Sequence, residues 1–427
     1  MEPRWLEVLR LLVLYLLAVS LFLVPAGVSA GLTLIWVWFI AAWLHGQQLP
    51  RHPVGWVALA FALYCLLQIV IPGPAPGDLV TRADAAFSWA QLVVFVPIAY
   101  AIGAREPLVL RLLLLAAVGL VLGTFWRMDW AILLENPQGF MDTRPGFGFS
   151  ALAYALYAGT ALIGLVLLRN RCWYTAAGQR RGWALLVWVA AAAMLAQAVL
   201  VTKARGSWLG LLIVAAIATA LWWRQQRRRR DSIAWPPIMA AAVALMLLIG
   251  FNAGEIVDRL GQEADAARQL LQGEAPTAQV TSISLRWHAQ RFGFEQWLER
   301  PWLGWGPGAS GPLIAGSGEV GLWNPVDGLL KHLHNSYLEL LIQLGVIGLA
   351  LWMSLAALMI WGVGDAIHHG RLSRDLGRFM LFALLYLAIW SLFNFRMVNQ
   401  DFRGYWAMLA GIAFSFGLFR RDAATGG

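Results

Sequence analysis

Long apolar runs separated by short polar loops alternate along almost the whole chain. A run of roughly 17–25 apolar residues forms a helix long enough to cross the hydrocarbon core of a bilayer. Such a helix satisfies its backbone hydrogen bonds internally, as lipid requires. The pattern therefore predicts an all-α polytopic membrane protein with about twelve transmembrane helices. The predicted spans are residues 6–24, 29–45, 54–71, 86–103, 107–125, 147–168, 183–201, 206–223, 234–251, 337–362, 377–394 and 403–419.

One long polar insert interrupts this alternation between the ninth and tenth predicted spans. Residues 256–271 place apolar side chains at helical spacing, which predicts an amphipathic helix lying on the membrane. A second helix is predicted over residues 284–299, and a Gly- and Pro-rich turn follows at 303–308. Loops of this length usually have a function, so we expect the insert to cap the active face. The predicted parts are a transmembrane bundle at 1–251, the insert at 252–334, and the last spans with a terminal tail at 335–427.

The composition excludes a soluble protein. Hydrophobic residues make up 60% of the chain and charged residues only 13%, about half the share that soluble domains carry. The net charge is +9, and the basic residues concentrate in every second loop, as the positive-inside rule describes. We therefore expect this charge to reflect topology, with no nucleic-acid partner. The arginine-rich loops and both termini are predicted to be cytoplasmic, and the insert is predicted on the opposite face.

Residues 332–339 place two imidazoles, an amide and a carboxylate directly before a predicted span. Ser336 and Glu339 have the spacing of a capping box, so the helix is expected to begin near Ser336, just after His334. The positive end of a helix disfavours imidazolium, and a neutral imidazole suits a general base. The same pattern is also typical of a histidine that only supports a helix cap at the headgroup boundary.

A metal-dependent alternative has little support in the sequence. The two histidines of this segment could bind zinc only with a third ligand, for which His288 or Glu339 is available. The chain has no HExxH-like motif, and its nearest external Asp-x-Asp-like pair, Glu263 and Asp265, lies on the predicted amphipathic helix. We therefore expect neither a metal nor another cofactor.

Three arginines are predicted on the same external face as the histidines. Arg205 lies with Lys203 in a tight turn between two spans. Arg286 opens the second helix of the insert, and Arg144 precedes another span. A guanidinium group matches the oxygens of a phosphate and is costly near lipid unless it is paired. Each arginine alone could equally anchor the protein to headgroups, but together they predict a cradle for a diphosphate, in which they replace a metal.

Four motifs follow one another along the chain, and together they resemble a known family. They are Arg205-Gly206-x-Trp208, Arg286, Arg300-Pro301-Trp302-Leu303-Gly304-Trp305-Gly306, and His334-Asn335-x-x-Leu338 with Gly345 further along. In this order, and with the long external insert, the chain resembles the O-antigen ligase family over most of its length. That family is related to O-antigen polymerases and to oligosaccharyltransferases that act on bacterial pilins.

The resemblance implies an inverting, metal-independent glycosyl transfer on the periplasmic face of the bacterial inner membrane. The donor would be a glycan on undecaprenyl diphosphate, and the acceptor a sugar hydroxyl of lipid A–core. His334 would be the general base, and Arg205, Arg286 and Arg144 would bind the diphosphate. The residues expected to support them are Asn335, Glu339, His332 and Lys203.

Other functions remain open at this point. An O-antigen polymerase or a protein-directed oligosaccharyltransferase of the same superfamily would use the same donor with another acceptor. A transporter would suit the number of spans, but it would be expected to carry ionisable residues at mid-membrane depth and inverted repeats. The sequence shows few such residues and predicts no oligomeric state.

Overall fold

The computed structural model describes residues 3–47, 52–71, 78–173, 182–229, 282–319, 322–324 and 328–419. The chain folds into helices with one short antiparallel strand pair. In the first half the helices are α1 (Arg4–Leu23), α2 (Pro25–Leu44), α3 (Pro53–Leu67), α4 (Leu79–Ala90), α5 (Phe95–Ile102), α6 (Glu106–Trp126), α7 (Trp130–Glu135), α8 (Pro137–Asp142), α9 (Ala151–Leu167), α10 (Arg169–Trp173), α11 (Gly182–Val201) and α12 (Arg205–Arg229). In the second half the elements are α13 (Ser282–Glu299), α14 (Ser310–Ser317), β1 (Trp323–Asn324), β2 (Gly328–Leu329), α15 (Ser336–His368), α16 (Arg374–Ser391) and α17 (Gln400–Leu418).

Within the described residues, seven helical segments are long and apolar enough to cross a membrane: α1, α2, α4 with α5, α6, α11, α12 and α15. The apolar helices α3 and α9 are shorter. Every predicted span except 234–251 overlaps a described helix, so the all-α polytopic class is confirmed, with the two-residue strands as a small addition. The count of twelve stays a prediction. The ninth span at 234–251 and the amphipathic helix at 256–271 lie outside the described residues.

Helix α17 forms the centre of the bundle. Almost every residue from Phe402 to Leu418 is buried, which is the pattern of a helix surrounded on all sides by protein. It packs against α5, α15 and α2, while α1 packs against α2 and α6. Large apolar side chains on the outer helices stay exposed, such as Leu12, Leu114 and Leu186, because lipid covers them. The bundle thus has a protein core inside and a lipid-facing surface outside.

A second, smaller apolar core lies apart from the main one. It joins α13, α14 and the segment before α15 through nine buried residues: Leu285, Ala289, Phe292, Ile314, Leu322, Leu330, Leu333, Leu338 and Ile342. The helix predicted over 284–299 is therefore confirmed as α13, and it packs against α15. The short helix α14 and the strand pair were not predicted. This second core carries the histidine segment.

Helix α15 is broken at Gly345. There the backbone has φ 65° and ψ −171°, a region that is essentially restricted to glycine. The sequence predicted one continuous span over 337–362, whereas the structure divides this stretch at Gly345. Residues 346–368 alone form a helix about 34 Å long, which is enough to cross a bilayer. Residues 336–344 form a separate first half that leads back to the histidines.

A loop from the insert fills this break. We call residues 300–308 the clamp loop. The N–H groups of Trp305 and Gly306 donate to the carbonyls of Ile342 (2.7 Å) and Gln343 (3.1 Å). On the other side, Val346 N–H donates to the Pro301 carbonyl at 2.9 Å. The break leaves backbone groups of α15 without partners in the helix, and the clamp loop hydrogen-bonds to them. A helix that is interrupted within a membrane requires such partners.

Candidate functional site

The two histidines flank Leu333, which anchors their segment through both its side chain and its backbone. The Leu333 side chain is fully buried in the second core. Its backbone N–H donates to Oε1 of Glu339 at 2.7 Å. The imidazole rings of His332 and His334 contact each other edge to face, with centroids 4.4 Å apart. The position of the two histidines is therefore set by the side chain and backbone of Leu333.

The helix begins where the sequence predicted, but its cap is different. Helix α15 starts at Ser336, and Asn335 is the N-cap, with Oδ1 accepting from the N–H groups of Tyr337 (3.0 Å) and Leu338 (3.2 Å). The predicted capping box does not form. Ser336 Oγ donates instead to the carbonyl of Asn394 at 2.6 Å. The short amide of Asn335 takes the cap because it precedes the helix, which leaves Glu339 for other donors.

Glu339 is fully buried and accepts three hydrogen bonds. Besides Leu333 N–H, its Oε2 accepts from Ser310 Oγ (2.5 Å) and from Nε2 of Gln343 (2.6 Å). The carboxylate of Glu339 thus links α14, the histidine segment and the first half of α15. A buried carboxylate needs such donors, because water cannot reach it. Glu339 therefore holds the backbone of the segment that carries the histidines.

Sequence reasoning missed Gln343. Its Oε1 accepts from Nε1 of Trp89 (2.8 Å) and from Gly308 N–H (2.9 Å), so it joins α4 and the clamp loop to α15. Its Nε2 donates to Glu339. Gln343 follows Glu339 by four residues, so both lie on one face of the helix. This spacing could have been recognised in the sequence. The contact with Trp89 spans 254 residues and has no such signal.

The structure brings Arg286 and His334 together. Arg286 is the fifth residue of α13, and its positive charge helps to lower the pKa of the His334 imidazole, after the larger effects of burial and of His332. Helix α13 packs against α15 through the second core.

The remaining basic residues of the predicted set gather at the turn between α11 and α12. Arg144 Nε donates to the carbonyl of Thr202 at 3.3 Å, and Nζ of Lys203 pairs with Oδ1 of Asp142 at 3.2 Å. Arg205 is the first residue of α12. Lys203 is buried and Asp142 is exposed. The loop before α9 and the α11–α12 turn thus form one basic group.

The turn after α16 links this basic group to the histidines. A Cβ at Gly206, the neighbour of Arg205, would lie 3.0 Å from Cβ of Phe393. The next residue, Asn394, accepts the hydrogen bond from Ser336. Phe395 then packs against the ring of His332, with centroids 5.8 Å apart. Three consecutive residues therefore connect the start of α12 with the start of α15.

The sequence pattern did not single out Arg396, whose charge also affects the histidine pair. Arg396 forms two parallel hydrogen bonds with Asp401, Nε to Oδ2 at 3.0 Å and Nη2 to Oδ1 at 3.1 Å. Tyr157 Oη also donates to Oδ2 at 3.0 Å. The charge of Arg396 lowers the pKa of His332, after the larger effect of burial.

Residues 190–353 match the family model described as O-Antigen ligase. The match covers 164 of the 427 residues, so this part of the chain is similar to the O-antigen ligase family. No curated protein matches the chain. The matched segment runs from within α11 to beyond the break in α15. It contains Arg205, Arg286, both histidines and Gly345, whereas Arg144 lies outside it.

Five of the described non-glycine residues have left-handed backbone conformations: Ala104, Arg144, Phe147, Lys203 and His334. Three of these five belong to the predicted site. Arg144 (φ 52°), Lys203 (φ 52°) and His334 (φ 54°) all have left-handed backbone conformations, which are uncommon for residues other than glycine. Each such conformation costs about 1–3 kcal/mol and persists only where the surroundings enforce it. Strain of this kind is typical of functional sites.

Burial lowers the pKa of both imidazoles. The pKa of His334 falls from 6.5 to about 3, because of burial first and then the charges of His332 and Arg286. The pKa of His332 falls from 6.5 to about 4, because of burial and the charge of Arg396. Both rings are therefore neutral at neutral pH. The sequence predicted this for His334, but it assigned the effect to the helix terminus, and the main cause is burial.

These shifts predict acid sensitivity. Below pH 6.5 these two histidines take up protons in the unfolded chain, whereas in the folded protein they do so only near pH 4 and pH 3. The free energy of unfolding therefore falls as the pH falls through that window. We expect the protein in detergent to unfold at a lower temperature at about pH 5 than at about pH 7. The double variant His332→Asn, His334→Asn should lose much of that difference. His288→Asn is the control, and an equal acid effect in all three proteins would contradict the expectation.

Among the described residues, no three His, Cys, Asp or Glu side chains come close enough together to hold a metal ion. Both oxygens of Glu339 accept hydrogen bonds, so it is not placed as a third ligand beside the histidines.

Proposed function

We propose that this chain transfers an O-antigen glycan from undecaprenyl diphosphate to a sugar hydroxyl of lipid A–core, with inversion and without a metal ion. The observation that carries the proposal is the position of His334, which has a left-handed backbone conformation just before α15 and lies inside the segment that matches the O-antigen ligase family model. The charge of Arg286 also reaches this imidazole and lowers its pKa. A base beside a cation suits a reaction in which a hydroxyl is deprotonated while an anion leaves. The match to the family model supports a membrane glycosyltransferase with lipid-linked glycan and lipid acceptor substrates.

In the proposed reaction, a ring nitrogen of His334 accepts the proton of the acceptor hydroxyl. The hydroxyl oxygen forms the new bond to the anomeric carbon of the donor, and the bond between that carbon and the diphosphate oxygen breaks. The electron pair of the broken bond leaves with the lipid diphosphate. Attack opposite the leaving group inverts the anomeric centre, and His334 then releases its proton to water.

The arginines neutralise the charge that develops on the leaving group. Arg286 acts next to the base, and Arg205 and Arg144 act from the turn between α11 and α12, where Lys203 adds a further positive charge. Guanidinium groups bind phosphate oxygens through paired donors, which stabilises a diphosphate leaving group without a metal.

The donor also strengthens the base. In the free protein, Arg286 lowers the pKa of His334. A bound diphosphate brings negative charge to the same place, and nearby negative charge favours the protonated imidazole. The pKa of His334 therefore rises when the donor binds. His334 becomes an effective proton acceptor only in the complex that can react.

The transfer takes place on the periplasmic face of the bacterial inner membrane in this proposal. Both termini and the arginine-rich loops lie in the cytoplasm, which follows from the positive-inside rule. Donor and acceptor are both lipids, so a site beside the membrane surface reaches each of them without extraction from the bilayer.

The test uses the full chain in lipid vesicles with lipid-linked O-antigen as donor, lipid A–core as acceptor and a chelator of divalent ions. Transfer to lipid A–core supports the ligase. Extension of the lipid-linked glycan, with no transfer to lipid A–core, would identify a polymerase instead. In a host without its own ligase, restored lipopolysaccharide ladders are the matching result in cells. Glycan transport without transfer would contradict the proposal.

Replacing Arg286 by glutamine is expected to lower kcat/KM for transfer roughly 10²-fold, because one preorganised cation is lost from the leaving group. Arg286→Lys should retain part of the activity, since it keeps the charge but not the paired donors. The measurement is initial rate against donor concentration. Arg291→Gln is the matched control, because Arg291 lies on the same helix, is exposed and pairs with Glu295. A similar loss in both variants would remove Arg286 from the diphosphate site.

A further inference from the structure

The ring of His332 does not hold its own segment in place. Leu333 already anchors the segment through its buried side chain and its N–H bond to Glu339. The Nδ1 atom of His332 is buried and, among the described residues, no other residue hydrogen-bonds to it. The ring contacts are those with His334 and Phe395. A histidine that merely stabilised the fold would be expected to use its polar atoms, because unsatisfied buried groups are costly.

Contacts on two sides fix the orientation of this ring. Phe395 packs against His332 with an interplanar angle of 65°, and His334 packs at 67°. Since Nδ1 is enclosed, we assign the contact with a bound molecule to Nε2. A neutral imidazole can donate or accept one hydrogen bond there, according to its tautomer. The pair thus offers two neutral imidazoles side by side, 4.4 Å apart between centroids.

We propose that His332 hydrogen-bonds the acceptor hydroxyl next to the hydroxyl that His334 deprotonates, so that the pair recognises two adjacent hydroxyls of one sugar ring. Neighbouring hydroxyls of a sugar lie about a hydrogen-bond length apart. Two ring nitrogens on adjacent imidazoles can each reach one of them at about 2.8 Å. His332 is then a specificity residue for a vicinal diol. This inference rests on the proposed glycosyl transfer.

The arrangement orients the acceptor as well as selecting it. A single hydrogen bond to the reacting hydroxyl leaves the sugar free to rotate about that bond. A second hydrogen bond to the neighbouring hydroxyl fixes the ring, and it thereby aims the nucleophilic oxygen at the donor carbon. Both imidazoles stay uncharged at neutral pH, so the contact with His332 is a neutral hydrogen bond.

The test compares two synthetic acceptors, one with the adjacent hydroxyl and one in which hydrogen replaces it. We expect the wild-type protein in vesicles to prefer the complete acceptor roughly tenfold or more in kcat/KM, as loss of one well-placed hydrogen bond predicts. His332→Phe keeps a planar ring without nitrogen and should remove most of the preference, because kcat/KM for the complete acceptor falls towards that for the deoxy acceptor. His332→Gln, which can still hydrogen-bond, should keep part of the preference.

His288→Phe is the matched control, because it replaces a histidine of α13 outside the pair, and it should keep the wild-type preference. Thermal unfolding of each variant separates misfolding from altered recognition, and His332→Gln preserves the test if His332→Phe does not fold. Equal losses on both acceptors in folded His332 variants would overturn the inference and indicate that His332 passes on the proton instead. Wild-type transfer without any preference would overturn the inference alone. No transfer to any glycan acceptor would overturn the proposed function with it.

Discussion

Replacing His334 by asparagine is expected to lower kcat for glycan transfer about 10²–10⁴-fold, the contribution typical of a general base. Asparagine suits this position because it tolerates the left-handed backbone conformation, φ 54°, that His334 adopts. The variant therefore removes the base with little change in the fold. The measurement is single-turnover transfer at saturating donor and acceptor, which reports the chemical step rather than binding.

Chemical rescue provides the sharper control. His334→Gly also fits the left-handed backbone, and it leaves a space the size of the lost ring. Imidazole added to the buffer should restore part of the rate to His334→Gly and none to His334→Asn, whose side chain occupies that space. His288→Asn should retain full activity. If His334→Asn transfers glycan at the wild-type rate, His334 is a cap residue, as the alternative interpretation of its sequence position holds.

Replacing Gly345 by alanine is expected to destabilise the protein by about 2–5 kcal/mol, from backbone strain and overpacking together. The added Cβ would lie 2.1 Å from the carbonyl oxygen of Trp302, and the backbone conformation at Gly345 is essentially restricted to glycine. The clamp loop would have to leave the break. Because that loop also contacts Gln343, transfer activity should fall with stability.

Gly364→Ala is the control within the same helix. A Cβ at Gly364 would meet no atom within 4 Å, and alanine favours helix over glycine by about 1 kcal/mol. Thermal unfolding of the purified proteins in detergent should therefore show a large loss for Gly345→Ala and none for Gly364→Ala. Equal unfolding temperatures for Gly345→Ala and wild type would mean that the clamp loop does not depend on the break.

Hydrophobic periodicity predicted the helices well, because span length and helix type are local properties. Helix α13 shows this, since residues 284–299 were predicted and Ser282–Glu299 is observed. The same local pattern could not predict the break in α15. An apolar run looks continuous whatever passes beside it, and only contacts with the clamp loop, some 40 residues earlier in the chain, make the break stable.

The site residues were predicted unevenly for a similar reason. His334, Asn335 and Glu339 lie in one short segment, so their proximity could be read from the sequence. The role of Asn335 as the cap in place of Ser336 depended on the hydrogen bond that Ser336 makes to Asn394, 58 residues away. The contacts of Gln343 and the pairing of Arg396 with Asp401 next to His332 depend on packing between helices, which hydrophobic patterns do not encode.

The second core has a practical consequence for engineering. Its residues run from Leu285 to Ile342 and form a cluster separate from the main core, and the helix break at Gly345 ends this stretch of chain. A chimera that exchanges residues 282–344 would therefore keep the second core together. It would also have to preserve the side chains of Tyr64, Gln68 and Trp89, which hydrogen-bond to this segment, and the carbonyls of Ala388 and Asn394, which accept hydrogen bonds from Tyr337 and Ser336.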